Sequence, residues 1–285
     1  MAMTFHARPA RAHGYAGERF FPPTIATDDP FAADELALPT VTALKNSDGS
    51  CEFAAGFEFD KLIFPNLSIG VSETHSFLTP HGNRRMDGWE NLQLSLKDNA
   101  FVNEPQEFIA SVGLHTEIGG TGSRSIGRDS RSTFEPVFFF GKGLGDLPDF
   151  LGVFKPLAVT GLVGQTFPTA GGAANTLDWG FSVEYQLPYL ESQVKDIGLS
   201  KPLRDMIPLV ELPFSTGENR GERGMTTGGI NPGVLWETKW AQFGVEAIIP
   251  VNKASGTHVG AVFQIWLFLD DLDPKHFGHP IFGGK

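Results

Sequence analysis

Between Leu177 and Leu187 every second residue is large and apolar: Leu177, Trp179, Phe181, Val183, Tyr185 and Leu187. The residues between them, Asp178, Gly180, Ser182, Glu184 and Gln186, are small or polar. Successive strand side chains point to opposite faces, so this stretch predicts a strand with one apolar and one wet face. The alternation recurs. Phe53, Ala55, Phe57 and Phe59 oppose Glu52, Ala54, Gly56 and Glu58, and Leu92, Leu94 and Leu96 oppose Asn91, Gln93, Ser95 and Lys97. Phe108, Ala110, Val112 and Leu114 oppose Ile109, Ser111, Gly113 and His115, and Phe243, Val245 and Ala247 oppose Gln242, Gly244 and Glu246. Helical periodicity is nearly absent, and Gly and Pro punctuate the chain as turn signals. Twelve strands are predicted, at 38–46, 51–60, 64–75, 88–98, 106–117, 131–140, 156–167, 177–188, 206–215, 230–240, 242–251 and 257–269. The least regular are 131–140 and 206–215.

The class turns on which face is inside. Apolar faces turned inward would give about twelve strands a wide greasy lumen, because eight already suffice to fill an interior. A two-sheet sandwich also fits the periodicity. The polar faces, however, are rich in Gly, Ser, Asn and Gln and poor in Lys, which suits a confined wet lumen better than open solvent. Trp89, Trp179, Tyr185, Tyr189, Trp236, Trp240 and Trp266 fall near strand ends, as interfacial girdles would. The expected fold is therefore all-β, a single closed antiparallel transmembrane barrel of about twelve strands. Residues 1–37 form an N-terminal segment, 38–269 the barrel and 270–285 a tail. Both termini lie on the periplasmic side, with residues 13–37 periplasmic or inserted in the lumen.

Composition narrows the function. The net charge of −11 argues against nucleic-acid binding, which needs a basic face. One cysteine, Cys51, rules out an internal disulfide and a cysteine-based zinc cluster. No apolar run is long enough for a spanning helix, so a membrane protein here must be a barrel. Ala10-Arg11-Ala12 has the form of a signal-peptidase site, but Met1 to Pro9 lacks the apolar run that export signals carry. The odd-to-even connections, such as 119–132, 168–176 and 215–228, are polar and Gly-rich, as outer loops of such barrels are. Two connections on the other side, 141–155 and 190–206, are too long for that pattern and carry Leu, Phe and Pro.

Several segments carry a resemblance: ERFFPPTIATDDPFAADELALPTV (18–41), FGKGLGDLP (140–148), PLAVTGLVGQTFP (156–168), WGFSVEYQLPYL (179–190), IPLVEL (207–212) and GINPGVLWETKWAQFGVEAIIPV (229–251). In these the chain resembles the bacterial outer-membrane β-barrel proteins of the transporter type grouped as "MetA-pathway of phenol degradation". The resemblance implies location in the cell outer membrane and passage of small molecules, apolar or aromatic compounds among them. None of these segments is a catalytic signature.

Other motifs favour plain readings. GKGLGD (141–146) and GGTGSR (119–124) lack phosphate-loop spacing and read as turns. His276 and His279, with Asp270, Asp271 and Asp273 nearby, read as a solvated tail rather than a metal site. His75-Ser76 would need an orienting partner, and adjacent strand residues point oppositely. Asp28-Asp29 reads as a turn or cap. The residues expected to line the lumen are Glu58, Lys97, His115, Glu117, Glu184, Glu211, Glu237, Lys239, Glu246 and His258. Glu184, Glu211, Glu237 and Glu246 lie on four consecutive strands, and such a wall would favour cations. Equally, these acids could brace the barrel by pairing with Lys239, Arg204 or Arg220. The leading function is a pore or passive transporter that works in the lipid bilayer on small-molecule solutes, without enzyme activity, cofactor, metal or nucleic acid. The alternatives are a plugged scaffold barrel of the envelope and a barrel lipid hydrolase.

Overall fold

A computed structural model describes residues 14–46, 49–80, 84–128, 130–169 and 171–283. The Ala10-Arg11-Ala12 motif lies outside them. Twelve strands form one sheet: β1 (Glu35–Lys45), β2 (Cys51–Phe64), β3 (Leu67–Thr79), β4 (Met86–Trp89 and Gln93–Asn103), β5 (Phe108–Glu117), β6 (Thr133–Gly143), β7 (Leu157–Pro168), β8 (Thr176–Tyr185), β9 (Met206–Gly217), β10 (Thr226–Glu237), β11 (Ala241–Pro250) and β12 (Gly260–Phe268). Both pieces of β4 pair with β3, on either side of a break at residues 90–92. Every strand is antiparallel to its chain neighbours, and β12 pairs with β1, so the sheet closes. Closure leaves no strand edge, which is the condition for spanning a bilayer with strands. The expected twelve-stranded closed barrel is borne out.

The opening stretch shows which face is where. Val183 is 41% exposed on the outside, whereas Ser182 and Glu184 are 0% exposed and point inward. Phe138, Val163, Val210 and Ile249 are likewise exposed on the outer surface. A continuous apolar belt on the outside of a closed barrel is a membrane-spanning surface. Trp89, Trp179, Tyr185, Trp236 and Trp240 belong to the outer surface by strand alternation or exposure. Trp266 and Tyr189 do not join that girdle. Trp266 points into the lumen, where its Nε1 donates to Glu35 Oε2 (2.7 Å), and Tyr189 is buried in a rim connection.

One rim carries the start of β1 and the end of β12, with connections 65–66, 104–107, 144–156, 186–205 and 238–240. The opposite rim carries the connections that leave β1, β3, β5, β7, β9 and β11. The two long connections that break the expected pattern therefore sit beside the chain ends, and they have a structural task there. Residues 14–34 run inside the barrel, beginning as a small hairpin in which Tyr15–Ala16 pairs with Arg19–Phe20. Phe20 packs among Ala37, Ile207, Leu209, Leu235, Trp266 and Phe268, and Phe21 packs with Ala16, Ile109 and Ala158. The apolar core of the protein is thus the contact between this segment and the inner wall. A twelve-stranded barrel is too wide for its own side chains to fill, and the segment supplies what the wall cannot.

Past β12 the chain makes one helical turn, Leu269–Leu272, then follows the end of β2, where Ile281 N donates to Leu62 O (3.1 Å) and Phe282 N to Ile63 O (2.8 Å). His276 pairs with Asp273 at 2.7 Å in the exposed part of this tail, and no set of three metal-binding side chains occurs among the described residues.

Candidate functional site

The site is the lumen, and it is built by residues that hold segment 14–34 in place. Glu211, at mid-height on β9, accepts hydrogen bonds from the backbone N–H of Ile25 (2.7 Å), Ala26 (3.0 Å) and Thr27, and from the Thr27 hydroxyl (2.6 Å). A carboxylate that gathers several N–H groups in a buried place fixes a sharp backbone bend. On the opposite wall Lys97 of β4 donates to Asp28 Oδ1 (2.7 Å) and to the carbonyl of Asp29 (2.9 Å). His115 of β5 stands 3.5 Å from Asp28 and 3.3 Å from Glu135 of β6. Ser111 Oγ donates to Pro30 O (2.5 Å), Asn99 Oδ1 accepts from Ala32 N (2.9 Å), and Gln242 Nε2 donates to Pro23 O (2.7 Å). The segment is therefore tied to β4, β5, β9 and β11 at once.

At the rim, Arg19 is 0% exposed and is the centre of a second set of ties. Its Nε donates to Glu107 Oε2 (3.0 Å), and its Nη1 to Pro156 O and Gln186 Oε1 (both 3.1 Å). Its Nη2 reaches the carbonyl of Lys155, and its guanidinium lies 3.6 Å from the centre of the Tyr189 ring. The Tyr189 hydroxyl and Gly145 N both donate to Glu107 (2.6 and 2.9 Å). One arginine thus joins the N-terminal hairpin to connections 104–107, 144–156 and 186–205. Glu107 holds a left-handed backbone (φ 47°), a costly state for a residue with a side chain, while its carboxylate takes these bonds.

Above the segment, toward the opposite rim, two chambers open. The first, about 480 Å³, is polar and acidic, with Asp28, Glu58, Glu117, Glu135, Asp178 and His115 in its lining. The second, about 550 Å³, is largely apolar, with Leu44, Pro213, Ile248 and Pro250 in its wall and Asn231 at its side. Ala26 lines both, so the bend held by Glu211 separates them.

Of the residues expected in the lumen, Glu58, Lys97, His115, Glu117, Glu184, Glu211, Glu237 and Glu246 stand at inward-facing positions. Glu117 accepts from Asn91 Nδ2 (2.6 Å), and Glu184 from Gln186 Nε2 (3.0 Å). Glu246 is buried beside Glu211 and Asn231. The four acids do not form one wall. Glu246 lies opposite Gly233, whereas Glu237 lies opposite Gln242, four residues nearer the rim. Lys239 belongs to the 238–240 connection, 5.9 Å from the Trp240 ring, and does not face the lumen. His258 sits in the 251–259 loop at the mouth of the apolar chamber. Arg204 and Arg220 lie in rim connections, so Glu211 braces backbone amides instead of an arginine. His75 and Ser76 point to opposite faces: His75 lies outside against Trp89, and Ser76 donates inward to Glu90 (2.6 Å).

Sequence reasoning missed Arg19, Glu107 and Gln186. A cation embedded in RFFPP is the one signal available, since a charge inside an apolar run needs a buried partner.

No family model and no curated protein matches the sequence. Among solved structures the chain is similar to the COG4313 outer membrane channel from Pseudomonas putida F1, with 12% identity over 87% of this chain and 99% of that one, at a TM-score of 0.55. The KdgM porin (12% identity, 81% and 98% covered, TM-score 0.48) and LpxR from Salmonella typhimurium (10%, 82% and 99%, 0.45) are looser likenesses. The fold is that of outer-membrane barrels, and the chain is a transmembrane β-barrel of that kind.

Proposed function

We propose that this protein is a gated pore of the outer membrane for small molecules, apolar or aromatic compounds among them, and that segment 14–34 is its gate. The observation that carries the reading is the lumen itself: two chambers reach inward from one rim and end on a segment tied to the wall by hydrogen bonds rather than by covalent links. Hydrogen-bonded ties can open, and a plug made only for bulk has no need of a bend that parts two chambers of different chemistry. The resemblance to the "MetA-pathway of phenol degradation" group supports the reading. Its segments ERFFPP, FGKGLGDLP and WGFSVEYQLPYL supply Arg19, Gly145, Gln186 and Tyr189, the ties at the rim.

Reconstitution tests it. Purified protein in planar bilayers should conduct in brief openings, and a variant that loosens the rim ties should conduct more. If neither the protein nor such a variant conducts or passes solutes in liposome swelling, the barrel is a scaffold and the pore reading fails.

A further inference from the structure

We infer that a groove on the outer surface, at the rim opposite the chain ends, binds an acylated lipid through a phosphate of its headgroup, with Lys45 and Arg85 as the pair that holds the anion. The site lies on the lipid face, so it stands whether or not the lumen conducts.

The groove, about 430 Å³, crosses β1, β2 and β3 where these strands reach the rim. Register puts its lining on the outer face: Ala43 lies opposite Phe53, Phe53 lies opposite Phe77, and Lys45, two residues on from Ala43, shares their side. Phe53 is 45% exposed and belongs to the apolar belt, and its ring centre stands 6.0 Å from that of Phe77. These two rings make an apolar floor continuous with the lipid-facing surface, and aromatic rings offer acyl chains a wide contact. Lys45, the last residue of β1, and Arg85, just before β4, border that floor at the rim. Glu52 also touches the groove, but it lies opposite Leu44 and belongs to the inward face of β2. Asp87, opposite Phe77, stands 3.7 Å from His75.

Lys45 and Arg85 are both exposed, and neither is ion-paired among the described residues. In a chain of net charge −11, two cations left facing one groove call for an anion from outside the protein. The Arg85 guanidinium lies 4.5 Å from the centre of the Phe77 ring, which fixes its charge against the apolar floor. Long basic side chains at a membrane edge lay their stems on apolar surface and keep their heads at headgroup level. Guanidinium and ammonium groups pair strongly with phosphate. Two cations over an aromatic floor therefore match a lipid with its phosphate at the rim and its acyl chains on the rings. Inorganic phosphate would meet only the cations, and a neutral lipid only the floor.

Lipid A, a phosphorylated glycolipid, and its dephosphorylated form are the probe pair, titrated onto the full chain in neutral detergent and read by native mass spectrometry. Each basic residue near lipid phosphate supplies roughly fivefold, so the protein should prefer the phosphorylated form about thirtyfold. Lys45→Gln and Arg85→Gln should each lose about fivefold of that preference, and the double variant should bind the two forms alike. Lys45→Arg keeps the charge and should keep the preference. Phe53→Ala removes half of the floor and should weaken both forms. Arg223→Gln, in the connection between β9 and β10, removes the same charge elsewhere on that rim and should change nothing. Heat-modifiable mobility on gels checks that each variant is a closed barrel. Equal binding of the two forms by the unaltered protein, a preference that survives in the double variant, binding untouched by Phe53→Ala, or an equal loss in Arg223→Gln would overturn the inference. So would displacement of lipid A by an equal concentration of inorganic phosphate, which would make the groove a site for the free anion.

Discussion

Arg19→Met keeps the length of the side chain and removes its charge and donors. In the protein Arg19 makes one ionic bond to Glu107, three further hydrogen bonds and a stacking contact on Tyr189. Removing one member of a buried pair strands the other, at about 3–5 kcal/mol. Glu107 keeps its bonds from Tyr189 and Gly145, so the lower end of that range applies. The loss falls on the docked segment and spares the barrel, whose ladder does not involve residue 19. About 3 kcal/mol at 1.4 kcal/mol per decade raises the ratio of undocked to docked states about a hundredfold. Single-channel recording should show that rise in open probability. Adding Glu107→Gln removes the stranded charge, so the double variant should open less than the sum of the two single changes. An open probability within twofold of the unaltered protein, in a variant that folds normally, would refute the latch.

Four further outcomes are expected. Val183→Arg, on the lipid face near mid-strand, should destabilise the barrel by about 2–4 kcal/mol in denaturant titration, while Val259→Arg, in an outer loop, should cost little. Changing Glu58, Glu117 and Glu135 together to Gln removes charge from the acidic chamber, so the cation preference in reversal potentials should fall, most visibly at low salt. Burial and the hydrogen bond to Glu107 raise the Tyr189 hydroxyl above its ordinary value, so the folded rim favours the neutral phenol. A raised value contributes folding stability that is full below the unfolded tyrosine value of about 10 and lost as pH rises through the folded one. Resistance to denaturant should therefore fall only in alkali, and Tyr189→Phe should blunt that fall. External protease should cut 218–225 before 118–128, because the latter is tied down by Ser123 to Trp89 N, by Thr121 to Leu92 N and by Arg128 to Glu90.

The strands were legible because alternation is local. Phe181, Val183 and Glu184 reveal their faces to anyone who counts by two, and the lumen assignment of Glu211 and Glu246 follows from the same count. Interruptions of the count were not legible. The break at residues 90–92 splits what reads as one strand, and shifts between Ala37 and Thr40 and between Asp98 and Phe101 add residues that alternation does not announce. The lumen segment was legible as a segment, but its ties to the wall were not. Arg19 and Glu107 lie 88 positions apart in non-periodic stretches, and only the closed barrel brings them together. Lys239 looked inward because the strand was extended past its true end at Glu237.

The strand that leads out of segment 14–34, β1, is also the strand that seals the barrel against β12. Segment and seam are therefore in mechanical series. A pull on the N-terminal segment passes straight into the β1–β12 ladder and reaches the Leu38-Pro39 step, where pairing with both neighbours skips and proline offers no N–H. The same joint fixes an order of assembly. The last strand to leave the ribosome must find the first, and segment 14–34 must already lie on the inner side when they meet. A barrel sealed with the segment outside would have to part its seam to correct the error.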